Sequence, residues 1–295
     1  MIQSTLSEPV PARPVRIDAH HHLWNYSSTE YDWISDEMQV LRHDFLPDDL
    51  ESVLEAAHLD GSIVVQARQT LAETKWLLSL ANSNAKIFGV VGWAPIADSS
   101  FPELLEKLRQ QSKLVGLRHV VQAEPAGFLE GAAFNQGISR LQSTGLVYDL
   151  LIYEHQMSAA LSFVDRHPKQ SFVLDHCAKP HIASQELEPW RMHLHELARR
   201  PNVTCKLSGL VTEANWESWT LETLTPYLDA VLEAFGAERL MAGSDWPVCL
   251  LATTCERWWR TLSDYCAQLS RSEQAQIMGL TAERIYQLKL TKGLD

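Results

Sequence analysis

The sequence predicts a single (β/α)₈ barrel, and three observations support this fold class. Eight short apolar runs alternate with amphipathic helical patterns along the chain. Each run is apolar at nearly every position, which is typical of a strand buried on both faces of a parallel sheet. No Gly/Ser-rich or Pro-rich linker interrupts the series, although 295 residues would suffice for two domains. We therefore expect one barrel domain over residues 15–295, preceded by a flexible segment at residues 1–14.

The predicted strands and helices follow one another in regular order. The strands are expected at residues 15–20, 61–67, 86–93, 114–121, 146–153, 171–176, 202–209 and 239–245. The helices are expected at residues 47–59, 70–84, 101–111, 155–167, 188–200 and 221–236. Thr70 with Glu73 three residues later is a capping-box signature, and Gly236 stands where a glycine commonly ends a helix. Residues 269–288 predict further helices that close the barrel.

Two long segments depart from this regular order. The first covers residues 23–46, is rich in aromatic residues and follows the first predicted strand. The second covers residues 209–220 and follows the seventh. The loops after the strands of such a barrel line its catalytic mouth, and long loops in a compact domain are usually functional. We therefore expect both segments at the mouth of the barrel.

Composition excludes several classes of function. The chain has 37 acidic against 25 basic residues, whereas a nucleic-acid partner requires a basic face. No apolar run reaches the roughly 18–20 residues that cross a bilayer, and no secretion signal is apparent at the N-terminus. The five cysteines include no C-x-x-C pair, so neither a disulfide framework nor a zinc knuckle is predicted. We expect a cytoplasmic protein that binds a small molecule and neither nucleic acid nor membrane; a homo-oligomer stays open.

Three imidazoles and one carboxylate mark the ends of three predicted strands. His20 and His22 share a face because side chains alternate along a strand, and His21 points the opposite way. His176 ends the sixth strand and Asp245 ends the eighth. The first and last strands are neighbours in a closed barrel, so Asp245 should lie beside His20 and His22. This combination of side chains predicts a divalent-metal site.

Four sequence segments together resemble the amidohydrolase superfamily, in the sugar-acid lactonase branch that includes L-fuconolactonases and L-rhamnonolactonases. They are DAHHHLW (18–24), VLDH (173–176), VTCKLSGL (203–210) and LMAGSDWPVC (240–249). The similarity runs from Arg16 to about Leu288. The resemblance implies an enzyme that hydrolyses the ester bond of a lactone. Members usually have Gln where this chain has His21, which adds a titratable group with no assigned role.

The resemblance also implies that His20, His22, His176 and Asp245 surround the reaction centre. Two-metal members use a carbamylated lysine on strand four and a histidine on strand five, and this chain has neither at those strand ends. We expect one divalent ion, with Zn²⁺ preferred, held by His20, His22 and Asp245 with His176 near. The branch also resembles metal-independent lactonases, so turnover without a metal stays open.

Asp245 is the expected general base, since an ionised carboxylate beside a cation or imidazoles can take a proton from water. A metal ion or an imidazolium would polarise the carbonyl and stabilise the oxyanion. The protonated Asp245, or His176, would return a proton to the departing ring oxygen. The sequence therefore assigns catalytic roles to Asp245 and His176.

Six further side chains near strand ends are expected to bind the substrate. Three are polar and three are aromatic, because an aromatic ring suits the C–H face of a sugar. They are Arg118, His119, Lys206, Trp24, Trp93 and Tyr153. Trp258 and Trp259 are assigned to helix packing.

One alternative function uses the same scaffold. It is hydrolysis of a pyrone dicarboxylate-type lactone, or a decarboxylation, and a dicarboxylate requires several arginines at the mouth. Arg118 is placed for this, and Arg42 or Arg68 are further candidates. A serine lactonase is disfavoured because the sequence contains no G-x-S-x-G motif.

Overall fold

Eight parallel strands pair in sequence order, from β1 to β8, in the computed structural model, which describes residues 13–290. The strands are β1 Ile17–His21, β2 Gly61–Val65, β3 Ile87–Gly92, β4 Leu114–His119, β5 Val147–Leu150, β6 Phe172–Leu174, β7 Val203–Leu207 and β8 Leu240–Ala242. The cylinder closes where Asp245 N donates to His20 O at 2.8 Å and His22 N donates to Trp246 O at 2.7 Å. The predicted single (β/α)₈ barrel is confirmed.

Helices cover the outside of this cylinder. They are α1 Pro47–Ala56, α2 Leu71–Ser83, α3 Phe101–Leu108, α4 Ala132–Leu141, α5 Met157–Arg166, α6 Trp190–Ala198, α7 Leu221–Phe235, α8 Cys255–Cys266, α9 Arg271–Ala275 and α10 Thr281–Ile285. Thr70 accepts a hydrogen bond from Glu73 N at 3.2 Å and so caps α2. The predicted capping box is only half formed, because the Glu73 carboxylate accepts from the backbone N–H groups of Ala67 and Arg68. In α8, Trp258 and Trp259 are buried, which agrees with their assignment to packing.

Helix α4 is absent from the predicted helices, although a signal for it exists. Its buried residues Phe134, Ile138 and Leu141 are spaced three or four positions apart, which is helical spacing. The predicted strands, except the first, also extend beyond the observed ones at the mouth end, whereas β1 continues one residue past its predicted end, to His21. Apolar composition continues past the last inter-strand hydrogen bond because the first residues of the mouth loops are buried as well.

The barrel interior contains a small apolar core with a plug from the C-terminus. Val65, Val91, Val147 and Val173 belong to this core, and Tyr286 joins it from the residues after α10. A larger apolar layer lies between the sheet and the surrounding helices. The helices expected at residues 269–288 are present as α9 and α10, with an irregular turn between them at Gln276–Leu280.

The predicted flexible segment, residues 1–14, lies outside the described residues except for its last two. Of these, Arg13 forms an ion pair with Asp60, with Nη2 at 2.6 Å from Oδ1. Among residues 13–290, no helix has the length and apolar character needed to span a membrane.

Candidate active site

The four side chains that the sequence singled out lie together at the mouth of the barrel. His20 Nε2 and His22 Nε2 are 3.2 Å apart. Asp245 Oδ1 lies 3.4 Å from His22 Nε2, 3.7 Å from His20 Nε2 and 3.9 Å from His176 Nε2. Three elements far apart in the chain supply this cluster: the end of β1, the turn after β6 and the turn after β8.

The second ring nitrogen of each histidine has its own partner. His22 Nδ1 lies 2.8 Å from the Val65 carbonyl oxygen, and since a carbonyl only accepts, Nδ1 carries the proton. His176 Nδ1 lies 2.9 Å from Ser208 Oγ. His20 Nδ1 lies 3.3 Å from Asp175 Oδ1. Partners of this kind hold an imidazole in place and direct its other nitrogen toward the site.

Burial keeps two of these imidazoles neutral. It lowers the pKa of His176 to about 4 and the pKa of His20 well below its ordinary value. Burial alone would raise the pKa of Asp245, but its interactions with His176, His22 and His20 outweigh burial and hold the pKa below its ordinary value. At neutral pH the cluster therefore offers an ionised carboxylate and uncharged imidazole nitrogens.

This donor set fits one divalent metal ion. One nitrogen each from His20 and His176 and an oxygen of Asp245 lie within 4.8 Å of one another, and His22 is adjacent. Neutral imidazoles and a carboxylate are the ligands that zinc prefers outside thiolate sites. The carbamylated lysine of two-metal centres has no counterpart, because Arg118 and His119 end β4.

A buried network of charges lies beneath the histidines, and its acidic members were given no role by the sequence analysis. Lys206 Nζ lies 2.5 Å from Asp149 Oδ2 and 3.0 Å from Asp175 Oδ1. Arg118 Nη1 donates to Asp175 Oδ2 at 3.0 Å. Tyr286 donates its hydroxyl proton to Asp149 at 2.9 Å. The alternation of side chains along β5 predicts that Asp149 points into the barrel, and the same alternation continued past the end of β6 predicts this for Asp175. It does not predict that both carboxylates pair with Lys206.

Asp18 is a third buried carboxylate near the site to which no sequence motif assigned a role. Its Oδ1 accepts hydrogen bonds from Ser244 N at 2.9 Å and His20 N at 3.1 Å, and its Oδ2 accepts from Ser244 Oγ at 2.5 Å. These bonds tie the end of β1 to the residue before Asp245. Asp18 thus joins the two segments that carry the candidate ligands.

A cavity of about 570 Å³ opens beside the cluster. His22, His176 and Asp245 form one part of its wall. The remaining wall comes from the end of β4 and from the loops that follow β1, β2, β4, β5, β6 and β8. It includes Glu30, Asp32, Trp33, Arg68, Gln69, Arg118, Gln122 and Lys179. The predicted location of the 23–46 segment at the mouth agrees with this wall.

Most of the expected substrate contacts lie away from this cavity, and their binding roles stay predictions. Lys206 and Trp24 have no exposed surface, which argues against direct contact with a substrate. Lys206 points into the barrel because it must pair with buried carboxylates, and Trp24 packs against Tyr31 and Phe45. Arg118 is the one expected contact that lines the cavity within the described residues.

The other three expected contacts lie near the rim. His119 Nε2 is 2.7 Å from Glu124 Oε1, and Trp93 donates its indole N–H to His119 Nδ1 at 3.3 Å. Tyr153 is partly exposed and stands 5.4 Å from Lys179 Nζ. Within residues 13–290, none of these three side chains lines the cavity.

Three further residues singled out in the sequence have clear positions in the structure. Arg42 is bound to Asp36 at 2.7 Å and is not part of the described cavity wall, whereas Arg68 is. His21 is buried on the opposite side of β1 from the cluster, 6.4 Å from the Trp246 ring. Burial lowers the pKa of His21 to about 3, so it is a neutral core residue in this fold.

A parallel barrel with three histidines and an aspartate at its mouth defines a hydrolase of the amidohydrolase type. Residues 17–288 match the model of the Amidohydrolase family, and the chain belongs to that family.

Known relatives share this fold over nearly the whole chain. The chain is 42% identical over 294 residues to an L-fucono-1,5-lactonase from Burkholderia multivorans, with 93% of this chain and 96% of that protein covered. It is 34% identical over 283 residues to an L-fucono-1,5-lactonase from Burkholderia ambifaria, covering 94% and 97%. The crystal structure of a Burkholderia multivorans amidohydrolase with bound Zn matches with a TM-score of 0.90 and 42% identity, covering 93% of this chain and 99% of that one.

Proposed function

We propose that this chain hydrolyses a sugar-acid lactone, an aldonolactone such as L-fucono- or L-rhamnonolactone, to the open aldonic acid. The observation that carries the proposal is the position of Asp245, within 3.9 Å of three imidazole nitrogens in the wall of a cavity of about 570 Å³. The activity of the two Burkholderia relatives supports it. Arg68 and Arg118 line the cavity, as a pyrone dicarboxylate would require, but each already pairs with a carboxylate, Glu30 and Asp175 respectively.

Asp245 is the proposed general base. Its low pKa keeps it ionised at neutral pH, so its oxygen accepts a proton from a water in the cavity. The water oxygen then bonds to the lactone carbonyl carbon, and the ring C–O bond breaks. The proton returns to the departing ring oxygen from Asp245 or through His176. The product is a hydroxy acid.

His20, His22, His176 and Asp245 would hold one divalent ion, and the zinc in the amidohydrolase of 42% identity supports Zn²⁺. When bound, such an ion polarises a carbonyl and stabilises developing negative charge. The neutral state of His20 and His176 disfavours the alternative of an imidazolium in that role. The contacts of His176 with Ser208 and of His22 with Val65 would orient these two rings to hold such an ion.

A lactone panel with and without chelator tests the proposal. The protein is incubated with aldonolactones and with pyrone carboxylates, and acid release is followed with a pH indicator. We expect acid release from at least one aldonolactone and a loss of turnover after chelation. Acid release from pyrone carboxylates alone, or from no lactone, would contradict the proposed reaction.

The variant Asp245→Asn tests the proposed base. We expect kcat to fall by about 10²–10⁴-fold, because amide nitrogen and oxygen cannot take a proton from water. Zinc content measured on the same sample separates loss of the base from loss of the ion. Asp48→Asn, on the exposed surface of α1, is the matched control and should keep full activity. Unchanged turnover in Asp245→Asn would remove it as the base.

A further inference from the structure

The cavity wall contains three basic side chains, two arginines and one lysine, and each forms an ion pair with a carboxylate. One of the three lies in β4, and the other two belong to the loops after β2 and β6. The pairs are Arg68 with Glu30 at 2.6 Å, Arg118 with Asp175 at 3.0 Å and Lys179 with Glu213 at 3.3 Å. Within the described residues, no other lysine or arginine lines this cavity.

Two more carboxylates, Asp32 and Asp245, line the same cavity. The fixed charges of the wall and its ion-pair partners therefore have a negative balance. A divalent ion at the histidines would offset the charge of Asp245 but would leave the three ion pairs of the wall in place. A ligand with a carboxylate distant from the reacting ester would thus meet no free cation in the wall.

Glu30 differs from the other two carboxylate partners. Asp175 is fully buried in the barrel and Glu213 is largely buried. Glu30 lies in the long segment after β1, and its side chain is 53% exposed. It therefore reaches Arg68 from a separate loop and can be replaced without disturbing the core.

Arg68 is held in position independently of Glu30. Its guanidinium carbon lies 5.1 Å from the centre of the Tyr31 ring, a cation–π contact. Its backbone N–H donates to the buried Glu73 carboxylate at 2.8 Å. Removing the charge of Glu30 would leave the guanidinium in the wall with a free bidentate donor face, which is the group that binds carboxylates best.

We propose that Glu30 is a specificity-determining residue. By occupying the guanidinium of Arg68, its carboxylate makes the cavity accept neutral polyhydroxylated lactones and reject lactones that carry a carboxylate. The inference rests on the proposed lactone hydrolysis and names the substrate class of that site. It requires no change in the roles of Asp245 and the histidines.

The test compares an aldonolactone with the aldarolactone of the same ring size and stereochemistry, which differs by a terminal carboxylate. In Glu30→Gln we expect the ratio of kcat/KM for the neutral to the charged lactone to fall about tenfold. High salt should reduce this change, since it screens the charge on Arg68. Asp36→Asn, which removes the partner of Arg42 in the same loop outside the described cavity wall, should keep the wild-type ratio.

A second readout does not depend on turnover. Isophthalate, a rigid dicarboxylate, is titrated into each variant in a calorimeter, and we expect its Kd to fall about tenfold in Glu30→Gln. In the double variant Glu30→Gln/Arg68→Met this gain should disappear. Equal isophthalate affinity and an equal substrate ratio in wild type and Glu30→Gln would overturn the inference. If no lactone is hydrolysed but the gain in affinity appears, the proposed function fails while the role of Glu30 stands.

Discussion

Buried charged side chains in this protein are stabilised by the hydrogen bonds and ion pairs that they form with neighbouring groups. Lys206 has no exposed surface, and two carboxylate oxygens lie within 3.0 Å of its ammonium group. Removing one partner of a buried ion pair leaves an uncompensated charge, so Asp149 and Asp175 position Lys206 as much as it positions them. Glu73 is a different case, because its partners are backbone N–H groups of Ala67 and Arg68 and not an adjacent cation.

Ionisation of the buried Glu73 carboxyl group should make the free energy of unfolding depend on pH. Burial raises its pKa from 4.5 to about 7. A carboxyl whose pKa is raised by folding stabilises the protein fully below the unfolded pKa, and this contribution is lost as pH rises through the folded value. Between about pH 4.5 and 7 the loss is on the order of 3 kcal/mol, at about 1.4 kcal/mol per pKa unit.

We therefore expect Glu73→Gln to lose this part of the pH dependence. The free energy of unfolding in urea, measured from pH 5 to pH 8, should fall less with rising pH in the variant than in wild type. Glu51→Gln, exposed on α1, is the control and should follow the wild-type profile. Parallel profiles for wild type and Glu73→Gln would mean that Glu73 is not the cause of the slope.

Short elements at the mouth adopt backbone conformations that few side chains tolerate. Residues His176, Cys177, Ala178 and Lys179 all have φ between 52° and 58°, the left-handed region. Such conformations cost about 1–3 kcal/mol each and persist where surrounding structure imposes them. Gly209, in the loop after β7, also has a positive φ of 65°, and the space that a Cβ would need there is filled by the His176 side chain.

The substitution Gly209→Ala should displace the His176 side chain. A Cβ at this position would lie 2.5 Å from His176 Nδ1, where Ser208 now makes its hydrogen bond. Gly236 has the same φ of 65° with no atom within 4 Å of an added Cβ, so Gly236→Ala is a matched control for backbone strain. Both variants should lose about 1–3 kcal/mol of stability.

The two glycine variants should differ in the site itself. We expect Gly209→Ala to bind zinc at least about tenfold more weakly, because the orientation of a ligand histidine is lost. Zinc affinity by competition with a chromophoric chelator, together with kcat/KM, measures the difference. Equal zinc affinity in both variants would show that Gly209 does not support His176.

At the scale of the whole molecule, the C-terminal segment links the barrel plug to the catalytic mouth. Tyr286 packs in the interior apolar core and donates its hydroxyl proton to Asp149. Asp149 pairs with Lys206, and Lys206 Nζ lies 3.2 Å from His20 Nδ1. A continuous line of contacts therefore runs from the last helices to the candidate ligands.

Tyr286→Phe tests the strength of that link. Without the hydroxyl, a buried carboxylate loses one hydrogen bond, and we expect a loss of about 1–3 kcal/mol in the free energy of unfolding. The midpoint of urea denaturation measures it. Tyr153→Phe, at a partly exposed position, should change stability by less than about 0.5 kcal/mol. An equal effect of both substitutions would argue against the buried bond.

Local patterns in the chain were sufficient to predict the barrel, most helices and the meeting of His20, His22, His176 and Asp245. Strand and helix periodicity are properties of neighbouring residues, and a closed barrel necessarily brings the ends of its strands to one face. The direction of Lys206, the burial of Trp24 and the pairing of Glu30 with Arg68 depended on contacts between distant segments. Such contacts form only when packing determines which loop covers which strand end, and no periodicity in the chain encodes that choice.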